Sequence, residues 1–369
     1  MQSKPLVSVY IPYYGDEDVL RDAIDSVLSQ TYENFELILL NHATEDSCRD
    51  IAHTYDDKRI IHIDMEKNAG AGGGFIVAEV LKKASGKYLK PFCADDIMTP
   101  NCLETLVNCL EQNPSVDFVF GDMEYVDMCK KPLGRKWSTE RACFDFDNNE
   151  KDLLKLYFRG VSTLSIVAAL VKTEDMRNIP LNESYIMLPD MTFWIRLLLK
   201  GKKIRQLKDI VAKYRIHEGQ MAYHGARARI VRQCYFETVK YCNCFYEIDN
   251  LDILKTLCEG SVLLDKLSAE DTKYFPFVIA HYYLTSQLNN AYKMSAYVLI
   301  FDMLKDEMTK KELEEKFDFG LREFRALYSE IPAASGSLHN LLHRKPYLRY
   351  SPAVIKRKML KALTKKIAL

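Results

Sequence analysis

Two adjacent carboxylates, Asp95 and Asp96, directly follow an apolar run that ends at Phe92 and Cys93. At the carboxyl end of a strand, such a pair can ligate a divalent cation through hard oxygens, which suits Mg²⁺ or Mn²⁺. A cation there could neutralise a diphosphate leaving group. Taken alone, the pair reads better as a polar turn ahead of a helix opened by Thr99 and Pro100. Asn68–Gly74 (NAGAGGG) would let backbone N–H groups approach a phosphate at a helix N-terminus. No GK[ST] follows it. Gly70 and Gly72 fit two positions of a GxGxxG pattern, but the third is Phe75, and a flexible connection explains the same glycines. Asp190, in LPDMTFWIR, opens an apolar helix running to Leu199. It is either an N-cap or a general base able to take a hydroxyl proton. His217, in YRIHEGQ at the end of a strand, could complete a metal shell as neutral imidazole, although a lone loop histidine commonly has no such task.

The elements that must position these residues alternate strand and helix. Val7–Pro12 is a β-branched, nearly all-apolar run, as expected of a strand buried on both faces. Glu17–Gln30 carries a helical stripe of Val19, Leu20, Ala23, Ile24, Val27 and Leu28. Strands at Phe35–Leu40, Arg59–Asp64, Tyr88–Cys93 and Asp117–Gly121 are separated by helices near Glu45–His53, after the glycine turn to about Lys83, and from Thr99 to about Glu111. This βαβ repetition predicts an α/β fold with an open, mostly parallel sheet and helices on both faces, its ligands lying beyond the carboxyl ends of the strands. Beyond Arg227 amphipathic helices dominate, so the expected organisation is a catalytic domain over 1–225, a helical accessory region over 226–330, and a linker and tail over 331–369.

Charge and cysteine usage narrow the class. Fifty-one basic residues balance 51 acidic ones, which removes any whole-chain argument for a nucleic-acid partner. The balance is uneven: 344–369 holds nine Lys or Arg and no Asp or Glu. From Ser351 to Leu369 it reads as a basic amphipathic helix that can lie on an anionic bilayer, dock on the acidic body or bind a partner. The ten cysteines form no CxxC pair, which favours a reducing compartment. With no signal-peptide pattern and no apolar stretch near ~20 residues, the expected location is cytoplasmic, with the tail able to make the protein peripheral on the inner membrane face.

The order and spacing of LVSVYIPYYGDEDVLRDAIDSVLSQTYENFELILL, ASGKYLKPFCADD, LPDMTFWIRLLLKGKKI and AKYRIHEGQ resemble glycosyltransferase family 2, with its A-type nucleotide-sugar fold. The resemblance runs from Pro5 to about Met221. It implies an inverting transfer from a nucleotide-sugar, most commonly a UDP-sugar in this family, to an acceptor hydroxyl on a glycan or lipid-linked saccharide. By position it implies that Pro12, Tyr13 and Tyr14 line the base pocket, and that Asp95 ligates the metal with Asp96 beside it near the sugar. Asp190 matches the catalytic base, and His217 the histidine that approaches the metal or diphosphate. The chain departs from the family pattern at four places. Asn41-His42-Ala43-Thr44 replaces the acidic pair and GST after the second strand. Cys93 replaces the first acid of DxD, Phe75 an arginine, and Pro189 the first acid of the ED motif. A sugar-phosphate nucleotidyltransferase and an inactive nucleotide-sugar-binding relative remain the rival expectations.

Overall fold

The computed structural model describes residues 4–328 except 16, 45–46, 69–72, 141–147, 181–184 and 218–226. Gly70 and the basic tail 344–369 therefore lie outside the described residues. Nine strands form one sheet: β1 (Val7–Tyr13), β2 (Phe35–Asn41), β3 (Ile60–Asp64), β4 (Tyr88–Pro91), β5 (Ile97–Met98), β6 (Phe118–Val126), β7 (Pro132–Lys136), β8 (Ala169–Lys172) and β9 (Ile204–Arg215). Their order is β3-β2-β1-β4-β8-β6-β9-β5, with β7 paired to β6.

The first part of the sheet follows the pattern read from the sequence. β1 pairs in parallel with β2 on one side and β4 on the other, so Val7, Val9 and Ile11 are fully buried, as are Leu37–Leu40 on β2. A strand enclosed by neighbours and covered on both faces has no use for polar alternation. The helix Glu17–Leu28 covers this region with Val19, Leu20, Ala23, Ile24 and Val27 buried.

The second part is antiparallel as well as parallel, so the sheet is mixed. β8 runs against both β4 and β6, β7 against β6, and β5 against β9, while β6 and β9 are parallel. No helix-length crossover separates β6 from β7, and a five-residue loop can only return the chain antiparallel.

The SVLSQTY segment braces the loop that carries Asp95 and Asp96. Ser26 Oγ accepts the Met98 N–H at 3.0 Å. Gln30 Nε2 donates to the Thr99 carbonyl at 2.7 Å, and Gln30 Oε1 accepts the Leu103 N–H at 3.0 Å. The expected helix start at Thr99 and Pro100 is displaced: the helix is Cys102–Gln112 with Asn101 at its N-cap. Thr99 is instead fastened to β9, its N–H donating to the Val211 carbonyl and its hydroxyl to the Ile210 carbonyl, each at 3.0 Å. A threonine committed to a strand cannot also cap a helix.

After the α/β elements come the helices Arg227–Tyr241, Leu251–Leu257, Phe275–Thr285 and Asn290–Met303. Aromatic side chains from this region, including Phe245 of the short helix Asn243–Tyr246, pack on the helix Glu150–Phe158. Phe158 meets Phe245 at 5.1 Å and Tyr283 at 4.8 Å, and the Tyr241 hydroxyl donates to the Tyr157 carbonyl at 3.1 Å. Met1–Glu307 forms one compact unit and Met308–Leu369 a second. In the second unit, Glu323 accepts the Gly320 N–H at 2.9 Å, and Leu313 and Phe317 are buried. The nine described cysteines are free thiols. Among the described residues no helix is long and apolar enough to cross a membrane.

Candidate active site

A cavity of about 830 Å³ opens at the carboxyl ends of β1 and β4. Tyr10, Pro12, Tyr13, Tyr14, His42, Cys93, Pro189 and Asp190 are among its lining residues. That volume lies in the range of small-molecule sites. Pro12, Tyr13, Tyr14 and Asp190 thus share one cavity, and Tyr14 is 63% exposed with its ring edge-on to His42 at 6.4 Å.

Asp190 sits in the first turn of the helix Pro189–Leu199, whose N-cap is Leu188. Its Oδ1 accepts the Met191 N–H at 2.9 Å. The carboxyl is part-covered, and the protein packed around it raises its pKa to about 6; the Met191 N–H opposes that rise and the Glu237 charge adds to it. A base poised near neutrality is suited to proton transfer at physiological pH. Pro189 occupies the first helical position, where its missing N–H costs nothing.

Gly73 begins the helix Gly73–Leu81 in close contact with this region. A Cβ there would lie 2.6 Å from Pro189 Cβ and 2.7 Å from the Tyr185 carbonyl oxygen. This glycine is therefore required by packing, whatever the rest of NAGAGGG does. Gly73→Ala should lower stability by about 1–3 kcal/mol, read by thermal melting; a melting point equal to that of the native chain would show that the contact is soft.

Glu237, on the helix Arg227–Tyr241, is a site residue that the sequence did not announce. It is 5% exposed. Its Oε1 accepts the Ile186 N–H at 2.9 Å, and its Oε2 accepts the N–H groups of Met187 and Leu188, both at 2.8 Å. These three charge-assisted bonds fix the segment immediately before Pro189 and Asp190. Nothing in the local pattern around Glu237 marks it, because the residues it holds lie about fifty positions earlier.

The carboxylate pair gathers beside the cavity, joined to it through Cys93. The Asp96 N–H donates to the Cys93 carbonyl at 3.4 Å, closing a turn. The turn brings a ligand atom each from Cys93, Asp95 and Asp96 within 4.8 Å of one another. Asp96 Oδ1 accepts the Arg215 N–H at 2.9 Å, while Oδ2 is buried without a hydrogen-bond partner among the described residues. Burial, then the neighbouring Asp95 charge, pushes Asp96 well above the usual carboxylate range. His217 Nε2 lies 3.3 Å from Asp95 Oδ2. The YRIH segment acts as a unit: Arg215, 1% exposed, pairs with Asp22 at 2.8 Å and offers its N–H to Asp96, so the end of β9 delivers His217 to Asp95. Two carboxylates, an unpartnered buried oxygen and an imidazole at the edge fit a divalent cation.

Asn41 stands apart from these groups. Its amide is occupied, Nδ2 donating to Asp64 Oδ1 at 2.9 Å and Oδ1 accepting the Thr44 N–H at 2.8 Å. It lines a separate pocket of about 270 Å³ with Arg49, Asp64 and Glu66. Of the two acids there, Asp64 stands at the carboxyl end of β3, paired with Arg49 at 3.4 Å and His53 at 3.1 Å. The non-glycine residue Ala43 adopts a φ of 58° at this turn.

The sequence and the fold have counterparts among known proteins. The glycosyl transferase family 2 profile matches residues 8–172. An uncharacterised glycosyltransferase of Methanocaldococcus jannaschii is 30% identical over 217 residues, which make up 58% of this chain and 71% of that one. The Escherichia coli UDP-Glc:alpha-D-GlcNAc-diphosphoundecaprenol beta-1,3-glucosyltransferase WfgD is 34% identical over 219 residues, covering 59% of this chain and 79% of its own. The crystal structure of S. aureus TarS in complex with UDP-GlcNAc has a like fold, with a TM-score of 0.56 at 17% identity over 85% of this chain and 91% of that chain. The chain belongs to glycosyltransferase family 2 and is a glycosyltransferase.

Proposed function

We propose that this enzyme transfers a sugar with inversion from a uridine-diphosphate donor to an acceptor hydroxyl on a glycan or lipid-linked saccharide. The observation that carries this reading is the placement of Asp190, with a pKa raised to about 6, in the wall of a cavity that Cys93 links to the Asp95 and Asp96 carboxylates. Base and cation-binding group then serve opposite ends of one displacement. The donor class draws support from the E. coli relative, named for UDP-Glc and a diphosphoundecaprenol acceptor, and from the UDP-GlcNAc complex of TarS.

In this reading Pro12, Tyr13 and Tyr14 line the part of the cavity that takes the nucleotide. Asp95 and Asp96, with His217 beside Asp95, would hold Mn²⁺ or Mg²⁺. Such a cation, when bound, supplies charge neutralisation for the departing diphosphate. Asp190 accepts the acceptor's hydroxyl proton as the oxygen attacks the anomeric carbon, and its Met191 N–H bond fixes the carboxylate's direction.

Thermal melting with UDP-sugars and other nucleotide-sugars, with and without Mn²⁺, tests the reading. A ligand at ~100 times its Kd should stabilise by about 2.7 kcal/mol. The expected result is a shift with a UDP-sugar that depends on Mn²⁺ and loses that dependence in Asp95→Asn. Equal shifts with and without the metal would remove the cation from the proposal. An absence of shift with every nucleotide-sugar would sink the donor assignment.

A further inference from the structure

We infer that Cys93 is itself a ligand of the cation site, so that this enzyme holds its metal through sulfur and oxygen together and favours borderline-soft ions such as Zn²⁺ and Co²⁺ over Mg²⁺. The inference rests on the reading of Asp95 and Asp96 as a cation site.

The turn closed by the Asp96 N–H and the Cys93 carbonyl folds residues 93–96 back on themselves. As a result the Cys93 sulfur and one oxygen from each carboxylate lie within 4.8 Å of one another. Neighbouring ligands of a tetrahedral ion, at about 2.0–2.3 Å each, stand roughly 3.3–3.7 Å apart, so the three atoms need close by no more than about 1.5 Å to complete the set. An independent sign points the same way: Asp96 is 1% exposed, yet its Oδ2 is buried with no hydrogen-bond partner among the described residues. An oxygen left so is costly unless a cation or donor comes to meet it.

Cys93 also differs from most of the described cysteines in its surroundings. Cys48, Cys102, Cys109, Cys242, Cys244 and Cys258 are buried. Cys93 is only partly covered, faces the cavity, and has two carboxylates for neighbours. Apolar packing gives no reason for a thiol at that place, whereas ligation does. A thiolate in the set moves preference away from Mg²⁺, which selects oxygen donors, toward ions that accept sulfur. On ligation the S–H bond is exchanged for a sulfur–metal bond and the proton leaves to solvent. His217 Nε2, 3.3 Å from Asp95 Oδ2, is placed to add a nitrogen.

Titrating the whole protein with Co²⁺ alone, followed by absorption, tests this without any measurement of turnover. The expected result is a thiolate-to-cobalt charge-transfer band in the native chain that is absent in Cys93→Ser. Mn²⁺ binding, read by electron paramagnetic resonance, should persist in that variant. The Zn²⁺-to-Mn²⁺ affinity ratio should fall by about tenfold or more on Cys93→Ser. Cys93→Asp, which exchanges the sulfur donor for oxygen, should lack the band and bind Mg²⁺ more tightly than the native chain. Co²⁺ binding without the band, or a band that survives in Cys93→Ser, would overturn the sulfur assignment while leaving the cation site in place. A folded native chain that binds none of Co²⁺, Mn²⁺ or Zn²⁺ would overturn both. Melting curves of the two variants confirm that each is folded before it is scored.

Discussion

Replacing Asp190 by asparagine should cut sugar transfer by about 10²–10⁴-fold, the range general-base groups contribute, and at the same time make the protein more stable at neutral pH. Both effects follow from the same carboxyl. Its pKa is raised from 3.8 to about 6, so the ionised form is disfavoured in the fold. Complete burial would make that penalty about 3 kcal/mol, and water in the cavity screens part of it, leaving about 1–3 kcal/mol. A carboxyl with a raised folded pKa contributes stability that is fully present below the unfolded value and is lost as pH rises through the folded one. The window here runs from 3.8 to about 6. Asparagine imitates the neutral form at every pH. Its melting point should therefore exceed that of the native chain at pH ~7.5, and the two should converge near pH ~4. For the native enzyme, kcat/KM should rise about tenfold per pH unit below ~6 and level off above it, since that ratio reports the free enzyme's base. A native rate that is flat through this window, or an asparagine variant that keeps its rate, would remove Asp190 from the reaction.

Glu237→Ala should cost both stability and activity, although this residue is not placed to touch the substrate. Three backbone N–H groups, those of Ile186, Met187 and Leu188, lose one shared carboxylate. Hydrogen bonds to a charged acceptor are each worth about 1.5–3 kcal/mol, but water can reach part of this half-exposed segment. The net loss should be about 2–4 kcal/mol, a melting-point drop of roughly 5–10 °C. The released segment leads directly into Pro189 and Asp190, so kcat/KM should fall about 10- to 100-fold through misplacement of the base. Glu237→Gln retains one carbonyl oxygen and should fall between. A role confined to stability predicts that activity per folded molecule stays at the native value and that the pH profile is unchanged. Misplacement of Asp190 predicts that both move, because its surroundings set its pKa. The helix Arg227–Tyr241 is thus a brace for the segment before Asp190 as well as part of the helical region.

Much of the first half of the fold was legible residue by residue. Val7–Pro12 reads as a doubly buried strand because no polar residue but Ser8 interrupts it, and β1 is central, with parallel neighbours on both sides. The stripe in Glu17–Leu28 reads as a helix because its apolar residues recur at three and four. The antiparallel strands beyond β4 were not legible, since β8 is four residues long and its partners are set by distant packing. The Thr99-Pro100 pair has the form of a helix start, yet Thr99 serves β9, a strand more than a hundred residues later in the chain.

The sequence by itself determined which residues can do chemistry here, and in what order they arrive. Carboxylates at Asp95, Asp96 and Asp190, an imidazole at His217 and a thiol at Cys93 are fixed by residue type. Their placement after apolar runs puts them at element ends, because apolar runs must bury and polar groups must emerge where burial stops. Only the tertiary structure decided which of them meet. His217 reaches Asp95 because β9 runs in parallel with β6 and ends beside the Cys93–Asp96 turn. Asn41 lines a second pocket, its amide held by Thr44 and Asp64. The pKa of Asp190 depends on how closely protein surrounds it, and the hold on its loop depends on a glutamate from another helix. Burial, long-range pairing and desolvation are properties of the folded volume, and no local stretch of chain encodes them.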